Sequence, residues 1–373
     1  MMPLSFVLCR LQYQACSSSQ TSKPIGFGSN RLGRRRVHGH MRTQAVVVNR
    51  QARTQDNTIG NYHSSAKIKM TDIRTEERWL VNGIDFYVKS TVTPPGTPTV
   101  AKLFFIHGFA EHVNRYEELF DILATQGVEV FAFDQRGAGQ TSPKKKDWGM
   151  TDEKLVYSDL EELIERRIGP EIVDEKTPIP WFMIGFSMGG AICLNYAIKG
   201  RHRHWFAGYI AVAPLILLHP RTRPNQVVYY ILLGISKAFP RLQYFTGIDF
   251  DFLSRDPVSV QKVKDDPMCH ATCTLKQMSD MLDRGRKLLD KDYYSKIVNR
   301  PVLIIHGDAD KINFYGASTE FIRNIPVNDK KLVTISGGYH ELQNEIESDR
   351  KKFQDELTKW ILDKSGAKVD AKL

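Results

Sequence analysis

The sequence contains no apolar run long enough to cross a bilayer. A spanning helix needs about 20 consecutive apolar residues, and the longest apolar stretches, 209–218 and 227–235, are much shorter. Cysteine is also scarce, because five Cys in 373 residues cannot form a dense disulfide framework. These absences exclude a multi-span membrane protein and a disulfide-stapled secreted scaffold. We therefore expect an intracellular, globular protein.

Acidic residues are nearly absent from residues 1–70, where eleven Lys or Arg stand against the single acid Asp56. The whole chain has a formal net charge of +10, so this segment accounts for the excess and the rest is balanced. A basic tail of this kind is weak support for a nucleic-acid-binding domain. We expect no nucleic-acid partner.

Three interpretations of residues 1–70 stay open. The segment is a disordered N-terminal extension, or it lies upstream of a start at Met41 or Met70. Its Arg- and Ser-rich, acid-poor composition is also typical of a mitochondrial transit peptide. The predicted organisation is an extension over 1–70, a folded region over 71–366 and a short tail over 367–373.

From residue 72 onward, short apolar runs alternate with helical patterns. This texture predicts a mostly parallel α/β sheet with helices on both faces. Ligands of such sheets bind beyond the carboxyl ends of the strands. Strands are predicted at 79–81, 84–88, 103–107, 128–134, 181–185, 207–213, 302–306 and 331–335, and helices at 116–126, 154–167, 188–199 and 318–324.

The motif G-x-S-x-G occupies residues 185–189, between a predicted strand and a predicted helix. In this context the motif is typical of a sharp turn that raises a nucleophilic serine above the sheet. Ser187 is therefore the candidate nucleophile. Its hydroxyl needs a general base, because serine is a weak nucleophile at neutral pH.

The candidate base and acid follow the last two predicted strands. His340 follows strand 331–335, and Asp308 and Asp310 both follow strand 302–306. The chain order Ser, Asp, His is that of the hydrolases that carry this turn. We favour Asp310 as the acid that orients His340, because Asp308 lies earlier in the turn and suits a turn or capping role.

An acyl-transfer site also needs two backbone N–H groups for the oxyanion. Met188 directly follows the nucleophile and supplies the first. The loop after strand 103–107 supplies the second, for which Phe109 is the candidate, since Gly108 lets the backbone turn there.

Nearly ninety residues separate strand 207–213 from strand 302–306, which is too long for one crossover connection. We expect a helical cap inserted at about 214–265. Its apolar segment around 227–235 suits either a lipid-facing lid flanked by Lys237 and Arg241 or a helix packed on the sheet. The nearby Cys269, His270 and Cys273 form only half a metal site, so no metal is expected.

Several segments, in matching order from about residue 72 to 362, resemble the monoacylglycerol lipase family, in its fungal branch. The resemblance rests on H-G-x-x-E-H-x-x-R-Y at 107–116, D-x-R-G-x-G-x-T at 134–141, G-x-S-M-G-G at 185–190, G-x-x-D at 307–310 and Y-H-E at 339–341.

This resemblance implies an α/β-hydrolase fold with a cap that associates with membranes or lipid droplets from the cytoplasm. It implies a carboxylic ester hydrolase that cleaves monoacylglycerol to glycerol and fatty acid without a cofactor. It also implies that Glu111 and Arg115 shape the polar pocket for the glycerol head group, and it supports Asp310 as the acid.

Two alternatives stay open. The same fold carries broader carboxylesterases, lysophospholipases and acyltransferases, which triad residues cannot separate. A non-catalytic binding protein is the second alternative, although such a protein is expected to lose one member of the Ser187, Asp310 and His340 set.

Overall fold

The structure, a computed structural model, describes residues 73–173, 179–223 and 226–366. The predictions for residues 1–70 and for the tail at 367–373 lie outside the described residues. The described part begins with a hairpin whose turn, Asn82-Gly83, has positive φ at both residues (44° and 74°). Asn-Gly suits such a turn because both residues tolerate the left-handed region.

The main sheet of the described residues has eight strands in the order β1-β2-β4-β3-β5-β6-β9-β10. β1 with β2 and β2 with β4 are antiparallel, and every other neighbouring pair is parallel. The predicted mostly parallel sheet is therefore confirmed. The strands are β1 (Arg74–Val81), β2 (Ile84–Thr91), β3 (Ala101–Ile106), β4 (Val128–Phe133), β5 (Trp181–Phe186), β6 (Phe206–Val212), β9 (Val302–Gly307) and β10 (Lys330–Ile335).

Helices cover both faces of this sheet. Side chains alternate along a strand, so Phe104 of β3 joins one apolar cluster and Phe105 joins the other. The helices are α1 (Glu117–Thr125), α2 (Glu153–Val173), α3 (Met188–Lys199), α4 (Gln226–Ala238), α5 (Pro257–Asp265), α6 (Leu275–Lys287), α7 (Lys291–Tyr294), α8 (Tyr315–Asn324) and α9 (Glu347–Ser365).

The helices divide between the two clusters. α2 and α3 bury Leu160 and Ile192 in the Phe104 cluster, and α1 and α9 bury Phe120 and Phe353 in the Phe105 cluster. Both clusters consist of buried aliphatic and aromatic side chains, whose removal from water stabilises the fold by about 25 cal/mol per Å². Because β3, β5, β6 and β9 are parallel, their carboxyl ends lie at the same edge of the sheet.

Helices α4 to α7 lie in the insertion between β6 and β9. The insertion also contains a short antiparallel ribbon of β7 (Gln243–Phe245) and β8 (Thr272–Thr274), in which Tyr244 pairs with Cys273. This ribbon pairs a strand before position 265, the predicted end of the cap, with a strand after it. The limits of the cap at 214–265 stay a prediction. Among the described residues, no helix combines the length and the apolar character that crossing a membrane requires.

Candidate active site

Ser187 lies in the sharp turn between β5 and α3, with a φ of 53° that L-residues rarely adopt. The flanking glycines make the turn sterically possible. A Cβ at Gly185 would lie 2.1 Å from the Gly189 carbonyl oxygen, and a Cβ at Gly189 would lie 2.3 Å from the Ile106 carbonyl oxygen. The motif therefore folds as a strained turn that displays its serine at the carboxyl end of β5.

The structure brings the three predicted triad residues into one hydrogen-bonded chain. The Ser187 hydroxyl lies 3.0 Å from His340 Nε2, and His340 Nδ1 lies 2.7 Å from Asp310 Oδ2. In the protonation state that serves catalysis, Ser187 donates to Nε2 and Nδ1–H donates to the carboxylate. Asp308 is exposed and accepts a 2.6 Å hydrogen bond from the Gly337 N–H, so it stabilises the turn instead.

The electrostatics suit a general base. Burial alone raises the pKa of Asp310, but the His340 charge and hydrogen bonds from His306 and His340 hold that pKa well below its ordinary value. Burial alone lowers the pKa of His340, but the Asp310 charge and hydrogen bond outweigh it and leave the pKa above the ordinary 6.5. The carboxylate thus stays ionised and stabilises a protonated His340.

The loop after β3 lies directly against the serine. A Cβ at Gly108 would lie 2.4 Å from Glu111 Oε1 and 3.3 Å from Ser187 Cβ, so a larger residue here would require Glu111 to move. Met188 is the first residue of α3, where backbone N–H groups have no intrahelical partner and can bind an anion. The assignment of Phe109 and Met188 as oxyanion donors stays a prediction that this placement suits.

Glu111 and Arg115 lie in a buried network that supports the same loop. Glu111 Oε1 accepts hydrogen bonds from the Gly108 N–H (2.6 Å) and the Tyr116 hydroxyl (2.7 Å), and Oε2 accepts from Arg115 (2.6 Å). Arg115 also donates two hydrogen bonds, of 2.8 and 2.6 Å, to Glu341. Both carboxylate oxygens of Glu111 are thus engaged by the protein itself.

Two polar residues that the sequence analysis did not select as site residues lie against the triad. His306 Nε2 is 3.0 Å from Asp310 Oδ2. Asn313 donates from Nδ2 to the Ala213 carbonyl at 2.7 Å and lies 3.4 Å from Ser187 Oγ. The signal for both was their position near the end of β9, on either side of Asp310.

The described residues do not assemble the half metal site around Cys269, His270 and Cys273. His270 stacks on Trp148 with ring centroids 3.6 Å apart, and Cys273 lies buried in β8. A different group, His112, Asp266 and Cys269, places three possible ligand atoms within 4.8 Å of one another. There, His112 Nε2 hydrogen-bonds Asp266 at 2.8 Å, and burial raises the pKa of the Cys269 thiol, which opposes the thiolate that binds metals.

Comparisons with known proteins agree with this architecture. A family model described as serine aminopeptidase, S33, matches residues 97–347. The monoglyceride lipase of Saccharomyces cerevisiae is 38% identical over 254 residues, which cover 67% of this chain and 80% of that protein. The monoglyceride lipase of Rattus norvegicus is 30% identical over 274 residues, which cover 72% and 84%.

A solved structure is similar as well. The crystal structure of a soluble variant of the Saccharomyces cerevisiae monoglyceride lipase, in complex with a substrate analogue, aligns with a TM-score of 0.74 and 33% identity. The alignment covers 82% of this chain and 99% of that one. With the serine turn, the hydrogen-bonded Ser187, His340 and Asp310, and the eight-stranded α/β-hydrolase sheet in place, this chain belongs to the monoglyceride lipase family of serine hydrolases.

Proposed function

We propose that this protein hydrolyses monoacylglycerol to glycerol and a free fatty acid through an acyl-enzyme on Ser187. The observation that carries the proposal is the chain of hydrogen bonds from Ser187 through His340 to Asp310. The names of the relatives supply the substrate class. No cofactor is needed, because the triad supplies the nucleophile, the base and the charge that stabilises it.

In the acylation step, His340 Nε2 takes the hydroxyl proton while Ser187 Oγ attacks the ester carbonyl carbon. The resulting oxyanion accepts hydrogen bonds from the Phe109 and Met188 N–H groups, which stabilise the developing charge. His340 then gives its proton to the glycerol oxygen as the carbon–oxygen bond breaks. Glycerol leaves, and the acyl group stays on Ser187.

In the deacylation step, His340 takes a proton from water, and the water oxygen attacks the acyl carbonyl. The second oxyanion occupies the same site. The bond to Ser187 Oγ breaks as His340 returns the proton to it, and the fatty acid leaves. Asp310 keeps the imidazole oriented throughout and stabilises its protonated form.

Glu111 and Arg115 enter this proposal through the shape of the head-group pocket. Since both Glu111 oxygens already accept hydrogen bonds, their part is to hold the Gly108 loop against the serine. In this proposal, the position of the Gly108 loop sets the shape of the pocket that receives the glycerol head group. A direct hydrogen bond from Arg115 to the glycerol head group would require Arg115 to give up a contact with Glu111 or Glu341.

The test is fatty-acid release from monooleoylglycerol by the purified full chain. Dioleoylglycerol, trioleoylglycerol and lysophosphatidylcholine serve as competing substrates, and Ser187→Ala is the matched control. We expect fast release from the monoacylglycerol, weak release from the others and none from the variant. Faster release from lysophosphatidylcholine would make the protein a lysophospholipase, and no serine-dependent release from any ester would contradict an enzymatic role.

We further propose that the cap associates with a membrane or lipid-droplet surface. Five large apolar side chains among the described residues of the insertion are exposed. Ile231, Phe239, Leu242 and Phe245 lie in the segment 231–245, with exposed fractions of 55%, 62%, 44% and 68%, and Val258 of α5 is 61% exposed. Lys237 and Arg241 are exposed beside them and suit anionic head groups. Exposed apolar side chains concentrated in one short segment of the chain suit a surface that meets lipid.

Flotation with vesicles of phosphatidylcholine and phosphatidylserine tests this association. The double variant Phe239→Ser/Phe245→Ser is expected to reduce binding strongly. Leu80→Ser is the control, because Leu80 of β1 is also 68% exposed but lies outside the cap. Equal binding by all three proteins would contradict the proposal.

The intracellular location and the mitochondrial role of residues 1–70 stay predictions. Microscopy of the tagged full chain and of a chain that starts at Met70 tests them. If the full chain enters mitochondria and the shorter chain does not, the targeting interpretation holds. If both chains mark lipid droplets, residues 70–373 are sufficient for that localisation.

A further inference from the structure

The carboxylate of Asp310 has four hydrogen-bond donors, and only one of them is the catalytic base. Oδ2 accepts from His340 Nδ1 (2.7 Å) and from His306 Nε2 (3.0 Å). Oδ1 accepts from the backbone N–H groups of Ile312 (2.7 Å) and Asn313 (2.9 Å). A carboxylate has about four acceptor positions, so Asp310 is saturated, and two histidines share one of its oxygens.

Each ring nitrogen of His306 has one hydrogen-bond partner. An ionised Asp310 has no proton to give, so the His306 Nε2 must carry the proton in that contact. The other ring nitrogen, Nδ1, pairs with the Ser318 hydroxyl, whose Oγ lies 2.8 Å away. Ser318 of α8 therefore holds the His306 ring from the side opposite Asp310, which keeps Nε2 directed at the carboxylate.

This second histidine is held rigidly. His306 and Ser318 have no exposed surface, and the Tyr315 ring contacts His306 edge-on with centroids 5.7 Å apart. A buried polar chain of this kind is costly unless every member is paired, and here each member is. The chain of contacts runs from Ser318 through His306 to Asp310 Oδ2, the same oxygen that accepts from His340.

We propose that His306 and Ser318 are positioning residues of the reaction, in which His306 shares Asp310 Oδ2 with His340 and sets how strongly that carboxylate holds the catalytic imidazole. The inference rests on the proposed triad but not on the identity of the substrate. Neither residue is a catalytic residue, since both act through Asp310.

The consequence has a defined sign. The hydrogen bond from His306 withdraws charge from Oδ2, so Asp310 attracts the His340 proton less than it would alone. Loss of that bond raises the pKa of His340 and moves the acid limb of the rate profile to higher pH. The other charged groups around His340 are Glu341, Glu111 and their partner Arg115. These residues are unchanged in the variants, so a shift of the acid limb would report on His306.

The test compares three substitutions. His306→Phe keeps a planar ring and removes the donor, His306→Gln keeps a donor in reach of Asp310, and Ser318→Ala removes the hydroxyl that pairs with His306 Nδ1. kcat, KM and the pH profile are measured with a p-nitrophenyl ester, together with the rate of fluorophosphonate labelling of Ser187. His202→Gln is the control, because His202 also pairs with a carboxylate, that of Glu165, at 2.7 Å but belongs to another part of the fold.

For His306→Phe, we expect kcat to fall about tenfold to hundredfold, as for other outer hydrogen-bond partners. KM should stay the same, and the acid limb should move to higher pH. His306→Gln should restore most of the rate, Ser318→Ala should shift the limb in the same direction by less, and His202→Gln should match the wild type.

The inference would be overturned if Ser318→Ala and the His306 variants that fold had the same pH profile as the wild type. A residue that only packs changes the stability of the protein and not its pH profile. The failure of the proposed function has a different signature. There, the wild-type protein itself would not hydrolyse the ester or label at Ser187, and both proposals would fall. Wild-type labelling with poor monoacylglycerol turnover would change the substrate and leave this test intact.

Discussion

Two buried carboxylates flank the serine, and the structure drives their pKa values in opposite directions. Asp310 accepts from two histidines and two backbone N–H groups, and its pKa lies well below the ordinary value despite burial. Glu111 is buried beside Arg115, yet its pKa is raised, because burial and the nearby charge of Glu341 outweigh the cation. Burial therefore does not decide the charge of a carboxylate near this site.

The difference lies in how many acids share one cation. Arg115 donates two hydrogen bonds to Glu341 and one to Glu111, so the pKa of Glu341 is lowered against its burial while that of Glu111 is raised. Among the described residues, none of the four groups that donate to Asp310 also donates to a second acid. The first arrangement suits a scaffold that holds a loop, and the second suits a permanent negative charge behind a general base.

The largest effect on activity is expected from Asp310→Asn. The amide cannot stabilise a protonated His340, and its NH₂ group favours the wrong imidazole tautomer. We expect kcat to fall by about 10⁴-fold, as in other serine triads, with the fold retained. Steady-state hydrolysis of monooleoylglycerol measures this, and Asp308→Asn is the control, because Asp308 is exposed in the same turn. Loss of activity in Asp308→Asn but not in Asp310→Asn would show that Asp308, and not Asp310, is the acid of the triad.

The largest effect on stability is expected from Arg115→Leu. This change leaves Glu111 and Glu341 buried without their shared cation, which costs about 3–5 kcal/mol. Denaturant unfolding measures the free energy of unfolding. Arg201→Leu is the matched control, since Arg201 pairs with Glu165 while its side chain is 64% exposed, and such pairs contribute about 0–1 kcal/mol. Equal losses in the two variants would contradict the scaffold interpretation.

The pH dependence of kcat/KM follows from His340. The residue must be neutral to accept the Ser187 proton, so activity is lost as the pH falls through the His340 pKa. Since Asp310 raises that pKa, the midpoint of the acid limb should lie above 6.5. A profile of kcat/KM against pH measures it. A midpoint below 6.5 would mean that burial, not Asp310, dominates the pKa of His340.

The smallest effect is expected from Glu111→Gln. Because its pKa is raised, the negative charge of Glu111 is stabilised less than that of Asp310. The amide keeps the shape and an oxygen for the Gly108 and Tyr116 donors, but its NH₂ group replaces the oxygen that accepts from Arg115. We expect a loss of about 1 kcal/mol in stability and less than about a tenfold change in kcat. The same unfolding and hydrolysis assays apply. A drop as large as that of Asp310→Asn would show that the two carboxylates do not differ in role.

The sequence predicted the fold and its family because their signals are local. Apolar runs bounded by turns marked the strands, and the G-x-S-x-G motif marked the elbow, whose φ of 53° at Ser187 matches a strained turn. The predicted mostly parallel sheet is confirmed by the strand pairing. The order of Ser187, Asp310 and His340 along the chain, each after a predicted strand, also predicted the triad. The structure brings the three residues into hydrogen-bond contact.

Features that depend on distant pairing were not predictable in this way. The β7–β8 ribbon has only three residues in each strand, which is too short for a periodic pattern. The bond between Arg115 and Glu341 joins residues 226 positions apart. α9 was missed for a different reason, since Phe353, Leu357, Trp360 and Ile361 follow helical spacing and form a signal that the sequence analysis did not use.

The central claim is that Ser187 is the nucleophile and that Asp310, not Glu111, activates it through His340. Fluorophosphonate labelling of the full chain, followed by peptide mass mapping, tests this claim most directly. We predict that the probe labels Ser187 rapidly in the wild type, at a similar rate in Glu111→Gln and far more slowly in Asp310→Asn. Labelling at another residue, or a rate that falls in Glu111→Gln but not in Asp310→Asn, would contradict the account.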